Sequence, residues 1–390
     1  MSMTDDDNPY DFEADAKIEE LVSPVTTHRR AVIRSSDRIA FKRCRRRWHW
    51  SSHMRENLGS KEAASPLWFG SGFHFAMEDY HGVKEYPSAR LAFEAYVKAT
   101  YRQQQKTGKK LPYDWAELVV LGRGMLDYYT ETWMIARDPL KTFVYEGKPQ
   151  VEVNVQIPIP ISHPDFDEVV YGATMDRVVE DDDGIGLWIL DYKTAKRIQT
   201  QFFQTDPQIS AYCWLASRMY GRPIYGFIYQ QHRKDVPVDP RVKGTGKIST
   251  AEGQLTTHRH YRRSLINLYG TVDKAPPANI DFLNWLNELE TPSQDKFVRR
   301  DLVYRNEFQV EAEGQKILME CEDMLRSDLP LYPNPTRECG HMCNFNSACI
   351  SMDDGSDWRY ELEIGFEAKN SNYESWRKFL PKDKSIVNMF

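Results

Sequence analysis

Residues 186–195, GLWILDYKTA, run apolar and then present Asp191 and Lys193 with one aromatic residue between them. Side chains two apart on a strand share a face, so an acid and a base project together while Tyr192 points away. Fifteen residues before Asp191, the stretch YGATMDRVV carries Asp176. If the two stretches pair as a hairpin across the turn DDDGIG, Asp176 and Asp191 lie side by side near its open end. Two carboxylates so placed repel each other and call for a cation. A hard divalent ion such as Mg²⁺ or Mn²⁺ takes oxygen ligands and keeps waters for chemistry. Lys193 beside it could hold or deprotonate an attacking water and balance charge building on a phosphate. The chemistry would be hydrolysis of a phosphodiester. A lone D-x-K is more often a surface ion pair at a strand end, so the rest of the chain decides.

The elements that must position these groups are legible in part. VEVNVQIPIP alternates Val151, Val153, Val155 and Ile157 with polar residues and is closed by prolines, which predicts a strand. With the Asp176 and Asp191 stretches it predicts a three-stranded meander. Asp206 with Pro207 opens a helix that Gly221 stops, and PIYGFIYQQ predicts a further strand. Ahead of this sheet, SSDRIAFKRCRRRWHW and LWFGSGFHFAMEDYHG predict two helices, and longer helices are expected over about 87–107 and 114–136. After it, helices are expected near 255–272 and 306–326. The order predicts an α/β protein with a central mixed sheet flanked by helices.

In that order, GATMD, DYK and QISAY resemble the G-x-x-x-D, D-Y-K and Q-x-x-x-Y signature of RecB-type nucleases of the PD-(D/E)XK superfamily. FGSGFHFAMEDYH resembles the histidine-bearing helix that precedes the sheet in that family. The resemblance implies a restriction-endonuclease-like fold and a metal held by His74, Asp176, Asp191 and the backbone carbonyl of Tyr192. It implies catalysis by Asp176, Asp191 and Lys193, with Gln208 and Tyr212 positioning nucleic acid. Glu152 is a candidate ligand to a second metal, and Glu78 and His81 share the helical face of His74. The competing reading is a non-catalytic nucleic-acid-binding or assembly scaffold that keeps the fold.

Three of the six cysteines have a pattern of their own: CGHMCNFNSAC places Cys339, Cys343 and Cys349 at C-x3-C-x5-C behind Pro333 and Pro335. Clustered cysteines in a cytoplasmic chain point to metal. In the iron-sulfur subgroup of the resembled family one cysteine precedes the nuclease motifs and three follow them, and Cys44 stands in the first position. The resemblance implies a [4Fe-4S] cluster stapling the chain's ends. The first gap is three residues where the family has two, and His341 lies inside it, so structural Zn²⁺ is the alternative. Cys213 and Cys321 are expected to be small buried residues.

The net charge of −6 hides an asymmetry: residues 1–20 hold eight acids and one base, whereas residues 231–263 hold eight bases and three acids. The basic run, with Lys247, Arg259 and Arg262, and Arg45, Arg46 and Arg47 beside Cys44, are the expected phosphate contacts. The acidic N-terminus is unlike a secretory or mitochondrial signal, and the apolar runs are short of a membrane span, which predicts a cytoplasmic protein. Nothing matches a P-loop, so unwinding would come from a partner helicase or recombination protein. The expected organisation is a disordered acidic arm over 1–30 and one nuclease domain over 31–365. That domain carries a helical insertion near 85–145 and cluster-binding ends at 35–55 and 333–352, before a tail over 366–390. The expected activity is a metal-dependent DNA exonuclease acting on single-stranded ends in recombination, repair or phage DNA processing.

Overall fold

A computed structural model describes residues 29–62, 64–369 and 374–381; the acidic segment expected to be a disordered arm lies almost wholly outside them. Strand β1 (Arg30–Arg34) is followed by helices α1 (Ser35–Arg43) and α2 (Arg45–Ser51), which meet at the extended backbone of Cys44. Strand β2 (Leu58–Ser60) leads to α3 (Ser65–His81), with Pro66 in its first turn, where a missing N–H costs nothing. The Ser88 hydroxyl caps α4 (Ala89–Thr107), which ends at left-handed Gly108. Helix α5 (Trp115–Tyr128) runs through one wide turn into α6 (Met134–Arg137).

Three two-residue strands, β3 (Lys141–Thr142), β4 (Val144–Tyr145) and β5 (Lys148–Pro149), precede the long ones. These are β6 (Val151–Pro158), β7 (Glu168–Glu180) and β8 (Leu187–Ala195), after which α7 (Pro207–Tyr220) crosses to β9 (Ile224–Arg233). Helices α8 (His258–Tyr269) and α9 (Pro277–Leu289) stand between β9 and β10 (Val298–Tyr304). The long helix α10 (Glu307–Leu325) leads to α11 (Cys339–Met342), α12 (Asn346–Asp354), α13 (Trp358–Gly365) and β11 (Phe366–Ala368).

The main sheet runs β1-β7-β8-β9-β10, with β3 and β6 also on β7. The meander β6-β7-β8 is antiparallel, β8 and β9 are parallel across α7, and β10 returns antiparallel. Gly172 pairs with both Arg34 and Gln156, and Arg177 with both Val151 and Leu190. Strands β1 and β8 therefore share one side of β7 at its two ends, leaving a gap between them. Alternate residues feed two cores. Leu187 and Ile189 join Trp214, Leu215 and Ile317 of α7 and α10, while Trp188, Leu190 and Tyr192 join Phe69, Phe73, Phe93 and Leu126 of α3, α4 and α5.

Among the elements not expected are β1, α9 and β10. Strand β1 is short and flanked by arginines, so only Ala31 and Ile33 show its alternation. Helix α9 belongs to a small core of its own with α8, built on Tyr261, Leu265, Phe282 and Leu286. Strand β10 reads as polar because its inward Arg300 is buried on partners distant in sequence: its guanidinium donates to both oxygens of Asp138 at 2.9 and 2.8 Å and to Gln230 at 2.6 Å. Removing Arg300 leaves Asp138 with the more distant Arg177, at 3.9 Å, as its cationic partner, so Arg300→Ala should cost about 3 kcal/mol in chemical denaturation. The expected tail is also partly built in. Phe366–Ala368 pairs with β2, and Trp376 is buried against Phe75 and Tyr96 at ring distances of 5.0 and 4.8 Å.

Candidate active site

Strands β7 and β8 pair from Glu180↔Leu187 to Arg177↔Leu190 and then part. The next opposed positions are Asp176 and Asp191, which therefore stand at the mouth of a fork. Freed from the ladder there, the Tyr192 N–H donates to Oδ2 of Asp176 at 2.7 Å. A strand residue's carbonyl leaves on the same edge as its N–H, so that of Tyr192 also faces the fork. Lys193 Nζ lies 2.6 and 2.8 Å from the two carboxylate oxygens of Asp191.

Helix α3 brings His74 to the same place: its Nδ1 is 3.0 Å from Oε1 of Glu152 and 3.5 Å from Oδ2 of Asp176. Gly72 holds the helix close to α4, since a Cβ there would lie 2.5 Å from the Tyr96 ring. Glu152, the second residue of β6 and skipped in its register with β7, has a left-handed backbone, φ 47°, a conformation that costs a non-glycine residue about 1–3 kcal/mol, and its carboxylate meets His74. Ligand atoms of His74, Glu152 and Asp176 all lie within 4.8 Å of one another. From the other layer, Tyr212 on α7 hydrogen-bonds Gln208 and lies in the field of Asp191, Asp176 and Lys193.

Burial and then Asp176 push Glu152 up to about 7, against the pull of His74. Burial also pushes Asp191 up to about 6, despite Lys193. Asp176 goes the other way: burial would raise it, but His74, Lys193 and the Tyr192 N–H hold it below the usual carboxylate range. Burial would likewise depress His74 and Lys193, and the acids around them hold both above their usual values. The donor set fits a hard divalent cation: the carboxylates of Glu152 and Asp176 cluster with the His74 imidazole, Asp191 stands beside them, and burial makes the protonated forms of Glu152 and Asp191 more accessible than in water. Protons then compete with metal. Mn²⁺ affinity should fall as pH drops through about 7 and 6, where Glu152 and Asp191 take up protons; calorimetric titrations between about pH 5.5 and 8 check this.

The other candidates have partners of their own. Glu78 is held by Arg377 at 2.5 Å, and His81 Nε2 is 3.0 Å from the Tyr129 hydroxyl, its pKa pushed well down by burial and by Arg177. Cys44, Cys339, Cys343 and Cys349 line one cavity of about 150 Å³ with Trp50, Pro333, Pro335 and Phe345. Three of these sulfurs accept hydrogen bonds, from the Arg47 and Thr336 backbones and from the Arg46 guanidinium at 3.2 Å. Cys213 and Cys321 are fully buried away from that cavity, and burial pushes both thiols up to about 12.

Arg45, Arg46 and Arg47, expected on nucleic acid, sit around the cysteines. Arg46 pairs with Asp353 at 2.7 Å and Arg45 lies over Phe41 and Tyr332, so both guanidinium groups have partners inside the fold, while Arg47 lines the cavity. Lys247, Arg259 and Arg262 are exposed on the segment between β9 and β10. Glu152 is the residue the sequence undervalued: its strand position was visible, but its left-handed backbone leaves no mark on residue type.

The model of the PD-(D/E)XK nuclease superfamily matches residues 37–350, and the chain belongs to that superfamily. Its central mixed sheet flanked by helices is the restriction-endonuclease-like fold, and members are generally nucleases that use divalent metals. No curated protein matches. Among solved structures, one described as the crystal structure of SSO0001 is similar at 11% identity and a TM-score of 0.30, over 82% of this chain and 86% of that one. Among the described residues no helix is long and apolar enough to cross a membrane.

Proposed function

We propose that this protein is a Mg²⁺- or Mn²⁺-dependent deoxyribonuclease of the RecB type, acting as an exonuclease on single-stranded DNA ends. The convergence of His74, Glu152 and Asp176 with the Asp191–Lys193 pair at one fork carries this reading. His74, Asp176 and Asp191, with the Tyr192 carbonyl and Glu152, would hold the metal. When bound, the ion supplies a Lewis acid for the phosphate oxygens and a water of lowered pKa. Lys193, kept cationic by Asp191 and Asp176, neutralises charge developing on the phosphate and does not act as a base. The Tyr192 N–H and His74 fix the orientation of Asp176. Gln208 and Tyr212 guide the scissile strand.

The four-cysteine cavity supports a [4Fe-4S] cluster as a staple. The cysteines share one cavity, and N–H donors to three of the sulfurs suit cluster thiolates. DNA repair, recombination or phage DNA processing is the setting, in the cytoplasm, with a helicase or recombination protein as partner. The exposed bases Lys247, Arg259 and Arg262 would contact the backbone of the DNA.

Linear and circular single-stranded DNA, incubated with Mg²⁺ and the cluster-loaded protein, test the reading. Nucleotides should be released from the linear strand while the circle stays intact. A cut circle would replace the exonuclease with an endonuclease, and no magnesium-dependent cleavage of either would favour a non-catalytic scaffold.

A further inference from the structure

The segment between β8 and α7 begins after Ala195, two residues beyond Lys193, and is pinned at two points. At its start, the Gln199 N–H donates to Oε1 of Gln231 at 2.8 Å, and Nε2 of Gln231 donates back to the Gln199 carbonyl at 2.6 Å; Gln231 is the β9 neighbour of Lys193. At its end, the Phe203 ring packs on Tyr229 at 4.6 Å, and Tyr229 is the β9 neighbour of Asp191. The buried Arg305 guanidinium donates to the carbonyls of Phe203 and Gln204, both at 3.0 Å.

Between these anchors Phe202 does the opposite of what a phenyl group does in water. It is 78% exposed, and its backbone is left-handed, φ 73° and ψ −9°, where glycine or asparagine would sit without strain. An exposed apolar residue alone says little. A bulky one held in a strained turn, one residue from the wall beside Asp191 and on the same segment as exposed Lys196 and Arg197, is a surface built to be covered.

We infer that Phe202 is a stacking platform for a nucleobase of the strand entering the active site, with Lys196 and Arg197 contacting the flanking phosphates. The inference rests on the nuclease reading and adds to it how an unpaired strand is selected: a base inside a duplex has both faces covered and offers none to the ring. Aromatic stacking tolerates any base, as an enzyme working along a strand requires.

Binding of a short single strand, followed by fluorescence anisotropy with Ca²⁺ replacing Mg²⁺, tests this. Phe202→Ala should weaken binding about tenfold, the size of one lost base–aromatic stack. Phe202→Leu should be as weak, and Phe202→Trp should restore affinity. An oligonucleotide of abasic sites should bind wild type and Phe202→Ala alike. Phe202→Gly should melt no lower than wild type, which separates the effect from folding. Equal affinity of wild type and Phe202→Ala for the intact strand, or full affinity of Phe202→Leu, overturns the inference while leaving the nuclease reading intact. A wild-type protein that neither binds nor cuts the strand overturns both.

Discussion

Lys193→Met is expected to slow phosphodiester hydrolysis by about a hundred- to a thousandfold, while Mn²⁺ binds at least as tightly as to wild type. The loss is the size seen when one preorganised charge facing the transition state is removed. Metal affinity should not fall because the Lys193 ammonium competes for Asp191, lying 2.6 Å from its carboxylate. Single-turnover cleavage and calorimetric Mn²⁺ titration of one preparation separate the two effects. A fall in Mn²⁺ affinity that accounts for the lost rate would make Lys193 a structural partner of Asp191 and not a group acting on the phosphate.

The second large effect belongs to the cysteines. Cys44→Ser should abolish the absorbance near about 400 nm expected of a thiolate-bound iron-sulfur centre. It should also lower the melting temperature by on the order of 10 °C, because metal held only by the folded chain contributes its binding energy to folding. The small core beside the cavity explains the size of the effect. Trp50 from one end of the chain and Phe345, Ala348 and Phe366 from the other form a small separate cluster that includes the half-buried Cys343 and Cys349, so loss of a metal there falls on a core with little reserve. Cys321→Ala should keep the colour, since Cys321 lies in the main core with Ile317 and Met324. A colourless wild type carrying zinc would turn the cluster into a structural Zn²⁺ site and leave the staple in place.

Local pattern made the central meander and its fork legible. The alternation of Val151, Val153 and Val155, the acidic turn and the run to Asp191 determine which strands pair and where the two acids meet. His74 and the Gln208–Tyr212 pair could be placed because helical spacing sets which face carries them. What sequence could not supply depended on distant partners. Arg300 reads as a surface charge until Asp138 and Gln230 arrive from other elements, and Arg46 reads as a phosphate contact until Asp353 and Cys349 fold back on it. Trp376, in a segment that looks like a tail, is anchored by Phe75 and Tyr96, residues that nothing near it in sequence announces. Backbone strain was equally hidden, at Glu152 and at Phe202.

The most direct test of the account is an electron paramagnetic resonance titration of Mn²⁺ into wild type and Asp176→Ala in the absence of DNA. A pocket formed by His74, Glu152 and Asp176 beside Asp191 predicts a bound ion in wild type and at least about a hundredfold weaker binding in the variant. Superimposable titration curves, or no bound Mn²⁺ in wild type at millimolar concentration, would contradict it.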